Sequence, residues 1–257
     1  MVVDVEQQGT VAVVRFQNPD KMNSFDTKTL AKLNAVFDDL LGDDRVRALV
    51  LTGSGRVFCA GADVAEFKRT IEEGTARQFL LDATAALHPL MMKLYQSPKP
   101  FVAAVNGVAA GGGLGLALVA DARIGSDTAR FAASYFGIGV SPDGGSTWLL
   151  PRIIGSQRTR LFFLDNEVMG ADEALRTGLL DAVAEDCVAD AVALAERWGQ
   201  WARHSRNATN QLLDSQAWND FGTHLDEERV LIAEAGDSPD FAEGVAAFFE
   251  KRTPKFQ

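Results

Sequence analysis

The sequence predicts an α/β fold in which a core of alternating strands and helices is followed by a purely helical C-terminal region. Short apolar runs of β-like character recur through the first part of the chain, and amphipathic helical patterns separate them. Strand signals vanish after about residue 187, where amphipathic helices follow one another. We therefore expect a core over residues 1–187 and a helical region over residues 188–257.

The strands are expected where apolar or β-branched runs are bounded by turn residues. These runs are residues 2–6, 11–16, 48–52, 101–105, 122–125 and 130–132. The first two flank Gln8-Gly9-Thr10 and therefore predict a hairpin. The run at 48–52 is apolar throughout, which is typical of a strand buried on both faces.

The helices are expected where apolar residues recur with the helical period. In the core these segments run from Asp26 or Thr27 to about Gly42, from Glu72 to Tyr95, and from Leu114 onward. Pro98 and Pro100 end the second of them. In the C-terminal region the segments are residues 188–204, 207–218, 221–235 and 240–251.

Composition and charge exclude several classes of protein. The 257 residues are 47% hydrophobic and 23% charged, and the formal net charge of −10 argues against nucleic acid or an anionic membrane surface as a partner. The chain lacks a run of eighteen apolar residues and a signal-peptide pattern, and its two cysteines lie far apart. We expect a cytoplasmic protein without a metal centre or redox cofactor.

The most informative segment is Pro100–Ala117, where an apolar strand meets the glycines 111–113 before a buried helical run. Glycines leave the backbone N–H groups at a helix start open to a ligand. Such a site suits an anion, or an oxygen that becomes anionic during a reaction. A tight packing turn is an equal alternative on this segment alone. Dinucleotide and phosphate-loop fingerprints are excluded, because leucine replaces the third glycine and no Lys-Ser/Thr follows.

A second glycine-rich segment, Gly53–Phe67, also follows a strand and leads into a helix, for which Asp63 is the expected N-cap. Two backbone-donor segments that each follow an apolar strand can converge on one oxygen. Phe58-Cys-Ala-Gly-Ala-Asp-Val64 and Ala103-Ala-Val-Asn-Gly-Val-Ala-Ala-Gly-Gly-Gly113 together resemble the two signatures of the crotonase superfamily, the enoyl-CoA hydratase/isomerase family. Matches at 18–23 and 248–256 extend the resemblance over essentially the whole chain.

This resemblance implies a spiral of ββα units and C-terminal helices that build homotrimers, often paired into hexamers. It implies an acyl-CoA thioester substrate, whose carbonyl oxygen lies between two backbone N–H groups. Carried over by motif, these donors are Ala62 and Gly112. They would stabilise the enolate formed when a neighbouring proton leaves, and losing one such donor costs about 10²–10³ in rate. No cofactor is implied, because CoA is part of the substrate.

Hydratases of the family use two glutamates to activate water and to deliver a proton. The corresponding positions here are Gly115 and Tyr135, so both carboxylates are absent. Asp143, within Gly139–Arg152, resembles the single aspartate of phenylacetate-degradation-type isomerases. A lone carboxylate suits a 1,3-proton shift, in which one group takes and returns the same proton. An N-cap on a helix over 144–150 is the alternative role of Asp143.

The resemblance also implies substrate-binding residues. They are Lys21 and Met22 at the adenine-nucleotide end, Ala60 and Asp63 near the pantetheine, and Phe248 and Lys251 completing the site, including from a neighbouring subunit. Tyr135 can hydrogen-bond Asp143 or the acyl group, but packing is the favoured expectation. His88, on the helix before the second signature, matches a histidine of aryl-CoA dehalogenases, in which a tryptophan stands where Tyr135 stands here.

Three functions stay open. The favoured one is an enoyl-CoA isomerase that uses Asp143. The second is a hydratase, or another CoA-thioester lyase or hydrolase, that recruits Asp143 or Glu66 for water, with aryl-CoA dehalogenation less favoured. The third is a catalytically silent acyl-CoA-binding protein. The sequence does not identify the acyl group.

Overall fold

The structure, a computed structural model, describes residues 3–257 of the chain. It contains two compact units, the first ending at Glu196 and the second spanning Arg197–Gln257. Among the helices of the described residues, none combines the length and apolar character needed to cross a bilayer.

The first unit contains all the described strands. They are β1 (Val3–Gln8), β2 (Val11–Phe16), β3 (Ala48–Gly53), β4 (Val57–Cys59), β5 (Phe101–Val105), β6 (Val108–Ala110), β7 (Ala122–Gly125), β8 (Arg130–Ala132), β9 (Val168–Gly170) and β10 (Ala182–Val183). Its helices are α1 (Thr27–Gly42), α2 (Val64–Glu72), α3 (Ala76–Tyr95), α4 (Gly112–Leu118), α5 (Ser146–Ile154), α6 (Ser156–Leu164) and α7 (Ala171–Thr177). The helix α8 (Cys187–Gly199) continues into the second unit.

From β3 to β8, successive strands of the first unit alternate between two sheets. One sheet has the order β1-β2-β3-β5-β7-β10 and the other the order β4-β6-β8-β9. Each pair from β3 to β8 therefore gives one strand to each sheet before the chain enters a helix, in agreement with the expected strand–strand–helix units. The first sheet is parallel apart from the β1–β2 hairpin, and every residue of β3 and β5 is buried.

Helix α1 shows how the sequence builds this core. The side chain of Asp26 accepts a hydrogen bond from the N–H of Thr29, which confirms the expected N-terminus. Leu30, Leu33 and Phe37 recur on one helical face and are buried. The ring of Phe37 meets the β5 ring of Phe101 edge to face, with centroids 6.1 Å apart.

The start predicted for one helix was wrong. The segment expected over 72–95 is divided, because α2 ends at Glu72 and α3 begins at Ala76. Gly74 lies between them with φ +70°, a left-handed conformation that breaks the helical path. The second unit contains α9 (Arg203–Ser215), α10 (Phe221–Ala235) and α11 (Pro239–Glu250), close to the helices expected there.

Candidate active site

The two glycine-rich segments lie side by side in the first unit. Strands β4 and β6 pair in parallel, so the chain leaves both strands at the same end. A Cβ atom on Gly61 would lie 3.0 Å from the amide nitrogen of Gly112 and 2.9 Å from the carbonyl oxygen of Ala110. Only glycine allows this close approach, and Gly61 also has φ +87°. The structure thus brings Ala62 and Gly112, the two expected donors, into one place.

The N–H groups of Ala62 and Gly112 are not used by the fold. Phe25 forms a parallel bridge in which its N–H donates to the carbonyl of Gly61 at 2.9 Å and its own carbonyl accepts from Asp63 at 3.2 Å. This bridge uses the residues on either side of Ala62, so the Ala62 N–H points the other way. Within residues 3–257 neither N–H donates a hydrogen bond. Both N–H groups therefore remain free to donate to a ligand.

Phe25 contributes to this arrangement through its ring as well as its backbone. A Cβ atom on Gly112 would lie 2.6 Å from the ring of Phe25, so the ring rests on the start of α4. Phe25 is 4% exposed and therefore links the two donor segments from inside the core. We did not single out this residue from the sequence. The signal that could have found it is its position two residues after the matching stretch 18–23.

Asp143 lies in a tight turn before α5. Gly144 and Gly145 follow with φ +56° and +73°, and the helix begins at Ser146. The cap residue is Gly145 and no side chain caps this helix, so the alternative role of Asp143 as an N-cap is wrong. Ser146 instead donates its N–H and its hydroxyl to the Asp143 carbonyl, at 3.2 and 2.9 Å. The carboxylate of Asp143 is left free of helix capping.

Tyr135 contacts this carboxylate directly. Its hydroxyl donates to Oδ1 of Asp143 at 3.0 Å, so the expectation that Tyr135 merely packs was wrong. The ring also packs against Phe163, with centroids 6.3 Å apart. Burial, and then the negative charge of Asp143, raise the pKa of the Tyr135 phenol well above its ordinary value. Tyr135 therefore remains a protonated donor to Asp143 at neutral pH.

Four of the expected CoA-binding residues lie together at the edge of this site. Nζ of Lys21 is 3.2 Å from Oδ2 of Asp63, and the N–H of Ala60 donates to the carbonyl of Met22 at 3.1 Å. Asp63 also caps α2 by accepting from Ala65, as expected. These contacts join the segment 19–22 to the segment 60–63.

Asn23 anchors the segment 19–22 to the core. From the sequence it was noted only as part of the stretch 18–23, without a role of its own. It is fully buried with φ +51°. Its amide donates to the carbonyls of Ser54 at 2.9 Å and Val57 at 2.6 Å, while its oxygen accepts from the N–H of Asn18. Asparagine suits this position because it tolerates a left-handed backbone and supplies both donor and acceptor.

Asn23→Asp is expected to lower the free energy of unfolding by about 2–4 kcal/mol, because a carboxylate of the same shape cannot donate to the two buried carbonyls. Urea denaturation of the variant and the wild type measures this difference. The substitution Asp20→Asn, on an exposed residue of the same segment, serves as the control and should leave the unfolding midpoint unchanged. An unfolding free energy of Asn23→Asp equal to the wild-type value would contradict the structural role of the amide.

The remaining expected residues are all at least partly exposed. His88 is exposed on α3, and its neighbour Leu87 is the residue that faces Gly112 and Gly144. Glu66 is paired with Arg69 at 2.7 Å on the surface of α2. Phe248 and Lys251 belong to the second unit, where both are exposed, and their part in a substrate site stays a prediction. Among residues 3–257 no group of three or more metal-ligating side chains is arranged to hold a metal ion.

Comparison with known proteins identifies the family. The model of the enoyl-CoA hydratase/isomerase family matches residues 6–257. The 1,2-epoxyphenylacetyl-CoA isomerase of Escherichia coli is 36% identical over 253 residues, which cover 96% of this chain and 94% of that protein. The short-chain-enoyl-CoA hydratase of Clostridium acetobutylicum is 33% identical, over 97% of this chain and 95% of that protein.

A solved structure agrees with these relatives. The crystal structure of an enoyl-CoA hydratase from Polaromonas sp. JS666 superposes with a TM-score of 0.93 at 27% identity and covers 99% of both chains. The resemblance inferred from the two glycine signatures is thereby confirmed, together with the α/β fold class. The chain belongs to the enoyl-CoA hydratase/isomerase family, whose members act on CoA thioesters.

Proposed function

We propose that this protein is an enoyl-CoA isomerase, in which Asp143 moves a proton from C2 to C4 of a 3-enoyl-CoA. The observation that carries the proposal is the environment of Asp143. Its carboxylate does not cap the following helix and accepts a hydrogen bond from Tyr135, and the turn that carries it packs beside Gly112. The family relation supplies the class of substrate, and the 1,2-epoxyphenylacetyl-CoA isomerase among the relatives is itself an isomerase of a CoA thioester.

The proposed reaction begins at the thioester carbonyl. Its oxygen accepts from the N–H groups of Ala62 and Gly112, which stabilise the negative charge that develops when C2 loses a proton. The carboxylate of Asp143 takes this proton and becomes a neutral acid. The electron pair left at C2 spreads over the carbonyl and the C3–C4 double bond, and Asp143 then returns the proton to C4. The double bond moves to C2–C3, and the carboxylate is regenerated.

Tyr135 and Lys21 have separate parts in this proposal. The Tyr135 hydroxyl orients the Asp143 carboxylate by donating to Oδ1, and this leaves Oδ2 for the proton transfer. Lys21 and the backbone of Met22 hold the nucleotide end of CoA, while Ala60 and Asp63 lie along the pantetheine. Phe248 and Lys251 extend the site from a neighbouring subunit of a homotrimer or a dimer of trimers. We further propose a cytoplasmic location.

Hydration is less well supported by the residues present. It requires a group that activates water and a second group that supplies a proton, and family hydratases use two glutamates for this purpose. Gly115 and Tyr135 stand at those positions here, and Glu66 is engaged by Arg69 on the surface of α2. Dehalogenation would need His88 beside the acyl group, whereas His88 is exposed on α3.

Incubation with a 3-enoyl-CoA and, separately, with a 2-enoyl-CoA tests this choice. We expect the 3-enoyl thioester to be converted, with the rise in ultraviolet absorbance that accompanies conjugation to the carbonyl. The 2-enoyl thioester should not lose its absorbance through hydration. Hydration faster than isomerisation would overturn the proposal in favour of a hydratase. Binding without turnover of any thioester in a panel of chain lengths would favour the silent acyl-CoA-binding protein.

A further inference from the structure

Helix α4 is held tightly on the side that faces the strands. A Cβ atom on Gly113 would lie 2.1 Å from the carbonyl oxygen of Cys59, at the end of β4. The ring of Phe25 rests on Gly112, where a Cβ atom would meet it at 2.6 Å. Both neighbours are fully or almost fully buried. The helix therefore cannot move toward the strands without displacing backbone or core side chains.

On its other side α4 presents Gly115 to the turn that carries Asp143. A Cβ atom on Gly115 would lie 2.3 Å from the carbonyl oxygen of Gly144 and 3.1 Å from its carbonyl carbon. Gly144 in turn faces the Cα atoms of Gly112 and Gly115, at 3.6 and 3.8 Å from where its own Cβ would lie. The helix and the turn thus meet backbone to backbone, directly beside the Gly112 N–H.

The same turn has a second support at Asp143 itself. The Tyr135 hydroxyl lies 3.0 Å from Oδ1 and 3.3 Å from the carbonyl oxygen of this residue. Tyr135 is 5% exposed, so the position of its hydroxyl is set by the core. Besides the hydrogen bonds from Ser146 to its carbonyl, Asp143 is therefore located by the backbone contact of Gly144 and by the Tyr135 hydroxyl.

We propose that Gly115 and Tyr135 are positioning residues, which together fix the Asp143 carboxylate relative to the N–H groups of Ala62 and Gly112. This inference rests on the proposed function and goes beyond it. It assigns a role to two residues that need not touch the substrate. It also explains why position 115 is a glycine, because any side chain there would displace the turn that carries the Asp143 carboxylate.

Gly115→Ala tests the first contact. Ordinary van der Waals contact begins at about 3.4 Å, so the carbonyl of Gly144 would have to retreat by about 1 Å. The turn is the part that yields, because Cys59 and Phe25 hold α4 in place, whereas the two neighbours of the buried Gly144, Asp143 and Gly145, are partly or fully exposed. A misplacement of about 1 Å at a reacting group costs about 10²-fold in rate. We expect kcat for 3-enoyl-CoA isomerisation to fall by this factor.

The dissociation constant for an acyl-CoA should change by less than about threefold in this variant, because the Ala62 and Gly112 donors do not move. Gly125→Ala is the matched control. It also crowds a buried contact of the first unit, where its Cβ would lie 2.6 Å from Cδ1 of Leu180, at a site that does not contact Asp143. The control should keep the wild-type kcat. A Gly115→Ala variant with wild-type kcat, or with kcat and affinity reduced together, would overturn the proposal.

Tyr135→Phe keeps the inference testable if Gly115→Ala does not fold. It removes one hydroxyl and retains the ring that packs on Phe163. We expect about a tenfold loss of kcat with unchanged affinity, which is the size of one lost hydrogen bond. An unchanged kcat would contradict a positioning role for Tyr135.

A crystal structure of Gly115→Ala separates failure of this inference from failure of the proposed function. A shift of the Asp143 carboxylate of about 1 Å away from Gly112 supports the inference whatever reaction the enzyme catalyses. An unshifted carboxylate overturns it. Retained isomerisation by an Asp143→Asn variant would instead remove the proposed function and leave this geometric result intact.

Discussion

Asp143→Asn is expected to lower kcat for 3-enoyl-CoA isomerisation by about 10³-fold, within the range that a positioned general base contributes. The amide cannot take a proton from C2, so neither half of the proton transfer can occur. Steady-state kinetics and calorimetric binding of an acyl-CoA measure the two effects separately. Binding should persist, because the backbone donors at Ala62 and Gly112 are unchanged and the amide oxygen can still accept from Tyr135.

Asp127→Asn is the matched control for this substitution. Asp127 is exposed between β7 and β8, and its backbone carbonyl, not its carboxylate, accepts a hydrogen bond from Arg130. The same chemical change should therefore leave kcat at the wild-type value. If Asp143→Asn retained more than about a tenth of the wild-type kcat, another group would have to be the base.

Gly61→Ala is expected to lower kcat by about 10²–10³-fold, the cost of losing one donor to a developing oxyanion. The added methyl group would lie 3.0 Å from the nitrogen of Gly112 and 2.9 Å from the carbonyl oxygen of Ala110. Because both contacts are with backbone, the two donor segments must separate. A wider gap lets only one N–H reach the thioester oxygen at full strength.

Gly74→Ala isolates the part of this effect that comes from backbone strain. Gly74 has φ +70°, close to the +87° of Gly61, but a Cβ atom there would have no atom within 4 Å. The control should lose about 1–2 kcal/mol of stability, measured by urea denaturation, and keep the wild-type kcat. Equal kcat values for Gly61→Ala and Gly74→Ala would show that the two donors do not act on one oxygen.

The local signals of the sequence predicted much of the fold. The carboxylates of Asp26 and Asp63 predicted the starts of α1 and α2, and each accepts a backbone hydrogen bond there. The long apolar runs became buried parallel strands. The short strands β9 and β10, of three and two residues, were not predicted because they are too short to show a period of two.

The candidate site was predictable only where it depends on short motifs. The glycine signatures predicted that Ala62 and Gly112 would lie together, and the close approach at Gly61 agrees with this. The hydrogen bond between Tyr135 and Asp143 was named from the sequence but was not the favoured expectation, because it depends on a tight turn of two left-handed glycines. The contact of Gly115 with Gly144 was missed for a similar reason, since backbone-to-backbone packing leaves no side-chain signal.

The sequence of helix α3 contained a periodic signal for which residues face the site. Its buried residues are Leu87, Leu90, Met91 and Leu94, which follow the spacing i, i+3, i+4 and i+7. His88 lies outside this set and is exposed. Applying the helical period to this segment would have placed His88 on the outer face and Leu87 toward the site.

The transfer of deuterium from C2 to C4 tests the role of Asp143 most directly. A 3-enoyl-CoA carrying deuterium at C2 would be converted in ordinary water, and the product would be examined by mass spectrometry and NMR. If one carboxylate takes and returns the proton, part of the label must appear at C4 of the 2-enoyl product, and Asp143→Asn must abolish this transfer. A product whose C4 hydrogen comes entirely from solvent would contradict transfer by a single group.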